Sequence, residues 1–104
     1  MSVRCWVAGA MLALLPVVPW AAQDCGRPKS VYERLVCSND RLSDAHERFA
    51  FAYFNHYRRA TTDASRDTIR RAQRDWEVTV RDACMDIPCL MHAFEERTLE
   101  LEQR

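Results

Sequence analysis

Glycine and proline are scarce in this chain, and their scarcity limits the folds that it can form. The 104 residues include two glycines and four prolines, and from residue 23 onward only Gly26, Pro28 and Pro88 remain. So few chain breakers, together with many Ala, Arg, Glu and Leu residues, favour helices. The same scarcity leaves no glycine-rich phosphate loop. No segment shows the alternation of apolar and polar residues that is typical of a strand. The sequence therefore predicts an all-α fold.

The chain also lacks an excess of either charge. Fifteen Lys and Arg residues balance 15 Asp and Glu residues, and Lys29 is the only lysine. A protein that binds nucleic acid or an anionic membrane needs excess positive charge to displace counterions. The balanced charge therefore argues against both of these partners.

The N-terminus has the layout of a secretory signal peptide. Residues 1–22 read MSVRCWVAGAMLALLPVVPWAA, with a short basic start, an uncharged apolar run and small residues at the end. The run reaches the lower limit of about 17 residues for a membrane-spanning helix, so a retained anchor is the alternative. However, Pro16 and Pro19 would break a helix near its far end, and the alanines suit a signal peptidase. We expect cleavage after Ala22.

Cleavage would leave residues 23–104 as a single domain in the periplasm or outside a bacterial cell. One basic residue leaves with the signal, so the domain keeps 14 basic and 15 acidic residues and a formal charge of −1. We expect no lipid anchor, because Asp24 precedes Cys25 where a lipoprotein signal has a small residue. We also expect no stable membrane insertion after cleavage.

The cysteines of this domain are even in number: Cys25, Cys37, Cys84 and Cys89. In an oxidising compartment this number is typical of two disulfides, which a domain of this size needs because its core is small. The sequence leaves the pairing open between a local set and a crossed set. We favour the local set, Cys25–Cys37 and Cys84–Cys89, because each pair flanks one short helix or one tight turn.

Helix boundaries follow from capping residues and breakers. A capping box, Ser30-x-x-Glu33, begins a short first helix that reaches Cys37. Two long helices and a last one follow. Their predicted bounds are Ser38 as N-cap to Arg59, Asp63 as N-cap to Cys84, and a start near Pro88.

Apolar residues recur at spacings of three and four within the predicted helices, which indicates their buried faces. For the second helix this face is Leu42, Ala45, Phe49, Ala52 and His56. For the third it is Ile69, Ala72, Trp76, Val80 and Ala83, and for the last it is Leu90, Phe94 and Leu101. The two long helices share a short loop, so we expect them to be antiparallel with the cysteines at one end.

The segment from Cys84 to His92 permits several kinds of cysteine chemistry. Covalent haem needs Cys-x-x-Cys-His, and neither cysteine pair has that spacing. A zinc site formed by Cys84, Cys89 and His92 would need a fourth ligand and reduced thiolates. A redox pair normally has the Cys-x-x-Cys spacing. We therefore expect a disulfide, no metal and no cofactor.

No catalytic constellation is visible, and we expect no enzyme. No serine or cysteine has a recognisable base beside it. The histidines His46, His56 and His92 lack ligand spacing, and we expect His46 and His56 at the surface or rim of the second helix. Carboxylates alternate with arginines, which is typical of a solvated helix surface.

The segment FAFAYFNHY, residues 49–57, is unusually aromatic. One helix cannot turn all of these rings toward the same core. Either other helices cover several of its sides, which we favour, or part of it stays exposed and binds a protein. The residues of this candidate partner surface are Phe51, Tyr53, Phe54 and Tyr57.

Three motifs together resemble the lysozyme-inhibitor LprI-type N-terminal domain family. They are ERLVCSNDRLSDAHERFAFAY after a first cysteine, QRDWEVTVRDAC, and CLMHAFEERTLEL. The most specific part is Gln73-x-x-Trp76 with Arg81-Asp82-Ala83-Cys84 following. The second helix departs from the family pattern at Ala45-His46, where many members have Leu-Asp. The resemblance implies a small exported helical domain with disulfides.

The family name implies inhibition of lysozyme, and therefore a protein partner. The alternative is an accessory envelope domain that binds another protein without inhibiting it. We expect Gln73, Trp76, Arg81 and Asp82 to be structural, with Trp76 anchoring the helices and Gln73 and Arg81 bonding loop carbonyls. The only local charge suited to a cationic enzyme is the acidic C-terminal segment: Glu95, Glu96, Glu100 and Glu102, against Arg97 and Arg104.

Overall fold

The computed structural model describes residues 25–104, and the predicted signal peptide lies outside them. Within this range the chain forms helices α1 (Val31–Ser38), α2 (Asp40–Arg59), α3 (Asp63–Trp76) and α4 (Ile87–Glu102). A π-helical segment, Glu77–Arg81, continues α3. No residue of the described range lies in a strand. The predicted all-α fold is confirmed.

Each α-helix begins where a side-chain oxygen accepts a backbone N–H that has no partner inside the helix. Ser30 accepts from Glu33 at 3.2 Å, as predicted, and Asp86 accepts from Cys89 at 2.9 Å. The predicted N-caps of the second and third helices are wrong by one residue. The caps are Asn39 and Thr62, which have the extended backbone that a cap requires.

Helices α2 and α4 run parallel and form the closest helix pair of the described domain. His46 contacts Phe94 near their beginnings, with ring centroids 5.3 Å apart, and Arg59 donates to the backbone carbonyl of Arg104 at their ends. Small buried residues allow the two helix backbones to approach closely. These are Ala45 and Ala52 on α2 and Ala93 on α4.

Helix α3 is antiparallel to α2, as predicted, but large side chains separate the two backbones. Trp76 stacks on Phe49 at 5.1 Å between ring centroids, and Arg70 donates to the hydroxyl of Tyr57. The core that results is aromatic and aliphatic. Its buried residues are Val36, Leu42, Ala45, Phe49, Ala50, Ala52, Trp76, Cys84, Leu90, Ala93, Phe94 and Leu101.

The predicted buried face of the third helix is wrong at Ala72, Val80 and Ala83, which are all exposed. The residues that turn inward are buried or half-buried: Ile69, Gln73, Trp76, Arg81 and Cys84. Their spacing is four, three, five and three. The step of five spans the π-helical segment, whose wider turn needs more residues to return to the same face.

Two disulfides close the described domain: Cys25–Cys37 and Cys84–Cys89, with Cα atoms 5.6 and 5.5 Å apart. This is the local set that the spacing favoured. The first ties the residues before α1 to the end of α1, and the second spans the turn that leads into α4. Both lie near the start of α2 and α4, where Asn39 and Ile87 line one hollow.

Candidate protein-binding surfaces

Gln73 of the resemblance motif points into the helix bundle, whereas Asp82 is exposed. Gln73 is only 6% exposed, and its side-chain oxygen accepts hydrogen bonds from Nε and Nη2 of Arg97 at 3.3 and 3.2 Å. Gln73 also donates to Glu77 at 3.4 Å. The guanidinium of Arg97 lies 5.9 Å from the centre of the Trp76 ring. Gln73 therefore joins α3 to α4 through a buried arginine.

Arg81 joins the π-helical segment to α1. Its guanidinium lies 4.1 Å from the centre of the Tyr32 ring, and it donates to Asp82 at 2.9 Å and pairs with Glu77 at 3.6 Å. Burial acts to lower the pKa of Arg81, but the hydrogen bond to Asp82 and the nearby Tyr32 and Glu77 raise that pKa above its usual value. The arginine therefore stays charged in a half-buried position.

These contacts differ from the expected bonds to loop carbonyls, because Gln73 and Arg81 bind other side chains. Trp76 contacts Phe49 and Phe94, as an anchor between helices would. Sequence reasoning missed Arg97, which is 7% exposed. Its position in the sequence could have indicated its burial, because it lies between Phe94 and Leu101 on the buried stripe of α4. An arginine at such a position needs a polar partner.

The histidines lie apart and in different surroundings. His46 is 6% exposed among the rings of Tyr32, Phe49 and Phe94, so its prediction as a rim residue is wrong. Burial and then the charge of Arg81 lower the pKa of His46. Partial burial and then Arg59 lower the pKa of His56. His92 is exposed, and its Nε2 lies 3.1 Å from Glu96.

Acidification from about pH 7.5 to about pH 5.5 is expected to destabilise the domain through His46, while carboxylates remain ionised. An unfolded histidine titrates near pH 6.5, and the folded pKa of His46 is lower. Between these two values the unfolded chain binds more protons, so stability is full above pH 6.5 and falls as the pH falls. Melting temperatures from circular dichroism would measure this loss.

Two variants assign the effect to a residue. His46→Phe should remove a larger part of the pH dependence than His56→Gln, because His46 is the more deeply buried of the two. Neither variant replaces the groups that face His46, which are Tyr32 from α1, Phe49 from α2, Arg81 from the π-helical segment and Phe94 from α4. An unchanged pH dependence in His46→Phe would contradict the prediction.

The four aromatic residues of the candidate partner surface divide between two sides of α2. Phe51 is 63% exposed and Phe54 is 44% exposed, whereas Tyr53 and Tyr57 are half-buried. Residues two apart lie about 200° apart around a helix, so Phe51 and Tyr53 point in nearly opposite directions. Arg70 also covers Tyr57, with its guanidinium 5.7 Å from the ring centre. Only the two phenylalanines therefore offer wide apolar surface.

The acidic segment of α4 is more negative at its surface than its sequence suggests. Arg97 turns into the core, where its Nη1 also donates to Glu100 at 3.4 Å. Glu95, Glu96 and Glu102 stay exposed around Leu99, which is itself 57% exposed. The outer face of α4 therefore combines carboxylates with a large apolar side chain.

Other kinds of site have less support in the described residues. Across residues 25–104, no three His, Cys, Asp or Glu side chains are grouped to hold a metal ion. No helix in this range combines the length and the hydropathy of a membrane span. The disulfides occupy the four cysteines of the described residues and indicate an oxidising, extracellular environment.

A comparison of the chain with models of protein families, with curated proteins and with solved structures found no significant match.

Proposed function

We propose that this chain is an exported protein-binding module of the LprI type, and that it inhibits a lysozyme. The pattern of residues 1–22 and the motif from Gln73 to Cys84 support this proposal. Export through a signal peptide would place residues 23–104 in the periplasm or outside the cell. There the disulfides would form and persist.

The observation that carries a binding function is the exposure of large apolar side chains on a stapled scaffold. Phe51 is 63% exposed and Leu99 is 57% exposed, on two helices that pack against each other. Exposed apolar groups rimmed by charge are typical of protein interfaces. The motif residues Gln73, Trp76 and Arg81 hold the scaffold together, so binding falls to these outer surfaces.

Inhibition of lysozyme requires that the domain covers the carbohydrate cleft or docks beside it. The overall charge of −1 over residues 23–104 gives little long-range attraction to a cationic enzyme. Attraction must therefore come from local charge, and the exposed carboxylates of α4 supply it. Contact area must come from the apolar side chains among them.

The oxidised domain, residues 23–104, is expected to slow the lysis of bacterial cell walls by lysozyme when the two proteins are present in equal amounts. The fall in turbidity of a cell-wall suspension measures the rate. A double variant, Phe51→Ser with Leu99→Ser, should inhibit less, because it removes the apolar contact surface. Both side chains are exposed, so we expect the variant to keep its fold. Circular dichroism confirms folding of the variant.

Two results would count against this function. If a molar excess of the folded domain leaves lysis unchanged for both animal-type and other lysozymes, inhibition is abandoned in favour of an accessory envelope domain with another partner. If the double variant inhibits as well as the original chain, the exposed apolar residues are not the binding surface.

A further inference from the structure

A groove runs along the outer side of the α2–α4 pair. Three adjoining hollows of about 460, 410 and 420 Å³ form it, and Arg48 lines all three. It begins near Asn39 and Ile87 and reaches Phe51 and Glu102. At about 1.5 Å per residue, its lining extends about 22 Å along α4 and about 18 Å along α2. This is the length of a helix of about three to four turns.

The groove has apolar side chains toward both of its ends. Ile87 and Met91 are half-buried at its first end, and Leu99 and Phe51 are exposed toward its other end. Leu99 and Phe51 are among the most exposed large apolar residues of the described chain. A partner that covered them would remove this surface from water, which favours association.

The charged lining of the groove is net negative, with four carboxylates against two arginines. Its charged lining residues are Arg41, Asp44, Glu47, Arg48, Glu95 and Glu102. Within the described range, none of these carboxylates has a cationic group within 4.0 Å. On α3, by contrast, Asp63 pairs with Arg66 and Asp67 with Arg70. Asp75 of α3 also lacks such a partner, so the groove differs from α3 in having four unpaired carboxylates against one.

We propose that this groove binds a cationic amphipathic helix of a partner protein, an inference that rests on the proposed protein-binding function. A helix with one apolar face is the occupant that fits an elongated groove between two helices with apolar side chains at both ends. Its apolar side chains would cover Leu99 and Phe51, and its Lys or Arg residues would face Asp44, Glu47, Glu95 and Glu102. Exposed ion pairs contribute little affinity each, so the charges mainly set the choice of partner and the association rate.

The test uses a helical peptide of about 14 residues, with leucines on one face and lysines on the other, which spans about 21 Å. Isothermal titration calorimetry measures its binding to the oxidised domain. The Glu95→Gln, Glu102→Gln double variant should bind about five-fold more weakly, and added salt should reduce the difference. Leu99→Ser should also weaken binding.

Matched controls separate the groove from general effects of charge and hydrophobicity. Asp67→Asn with Asp75→Asn removes the same charge from α3, and Val78→Ser replaces a side chain that is 64% exposed on the π-helical segment. Both controls should bind the peptide as the original chain does. If the peptide does not bind, or if controls and groove variants lose affinity equally, the groove assignment is overturned.

The same variants in the lysis assay distinguish the groove from the choice of lysozyme as partner. If lysozyme is inhibited and the groove variants inhibit fully, the inhibitor function stands and the groove assignment fails. If lysozyme is not inhibited but the peptide binds in a groove-dependent manner, the groove assignment stands and lysozyme is not the partner.

Discussion

Phe94→Ala is expected to lower the free energy of unfolding by about 3 to 5 kcal/mol, the cost of removing a fully buried aromatic ring. Phe94 is 0% exposed, and its ring lies 5.3 Å from His46, 5.4 Å from Phe49 and 6.0 Å from Trp76, measured between centroids. The ring thus contacts residues of α2 and α3 from its place on α4. A cavity there would weaken the packing of three helices at once.

Urea unfolding of the oxidised domain, followed by circular dichroism, measures this loss. The matched control is Phe51→Ala, the same substitution at a ring that is 63% exposed, which should change stability by no more than about 0.5 kcal/mol. Because a whole domain is stable by about 5 to 15 kcal/mol, Phe94→Ala should leave a marginal fold. Equal losses of unfolding free energy in the two variants would contradict the buried position of Phe94 and the exposed position of Phe51.

The sequence predicts α2 well because its core residues are apolar and regularly spaced. Leu42, Ala45, Phe49 and Ala52 are all buried, and helix propensity and hydrophobic period point to the same face. His56, the last residue of the predicted stripe, is half-buried near the end of the helix. Where the apolar pattern and the burial of a helix agree, a single sequence is sufficient to predict its buried face.

The inward face of α3 could not be predicted by the same rule, because its inward residues include Gln73 and Arg81. A hydrophobic pattern assigns such residues to the surface, so it selected Ala72 and Val80 instead. The π-helical segment adds a second difficulty, since its extra residue per turn leaves no mark in composition. Only the resemblance motif singled out Gln73 and Arg81 in advance.

The candidate binding surface was predicted only in part, for a related reason. The sequence identifies Phe51 as one of several aromatic residues but does not determine which of them the neighbouring helices cover. It also counts Arg97 against the acidic residues of α4, whereas the side chain of Arg97 lies in the core at 7% exposure. The net charge of the α4 sequence therefore underestimates the negative charge that α4 presents at the surface of the groove.

Removal of the first disulfide by Cys25→Ala with Cys37→Ala is expected to lower the free energy of unfolding by about 3 kcal/mol. This bond closes a loop with a sequence separation of 12, whereas Cys84–Cys89 closes one of 5. In the chain-entropy model the longer loop restricts the unfolded chain more, and the second pair should contribute about 2 kcal/mol. Alanine is the substitute because Cys84 is buried, where serine would need a hydrogen-bond partner.

Hydrogen exchange of the two disulfide variants should differ in location as well as size. Val36 is the only buried residue of α1, and Tyr32 and Leu35 pack against the core while partly exposed, so we expect α1 to depend strongly on the first disulfide. Without Cys25–Cys37, the amides of α1 should exchange faster than those of α2. Without Cys84–Cys89, faster exchange should appear at the start of α4. If the shorter loop proved the more stabilising of the two, strain or residual structure in the unfolded chain would outweigh loop entropy in this domain.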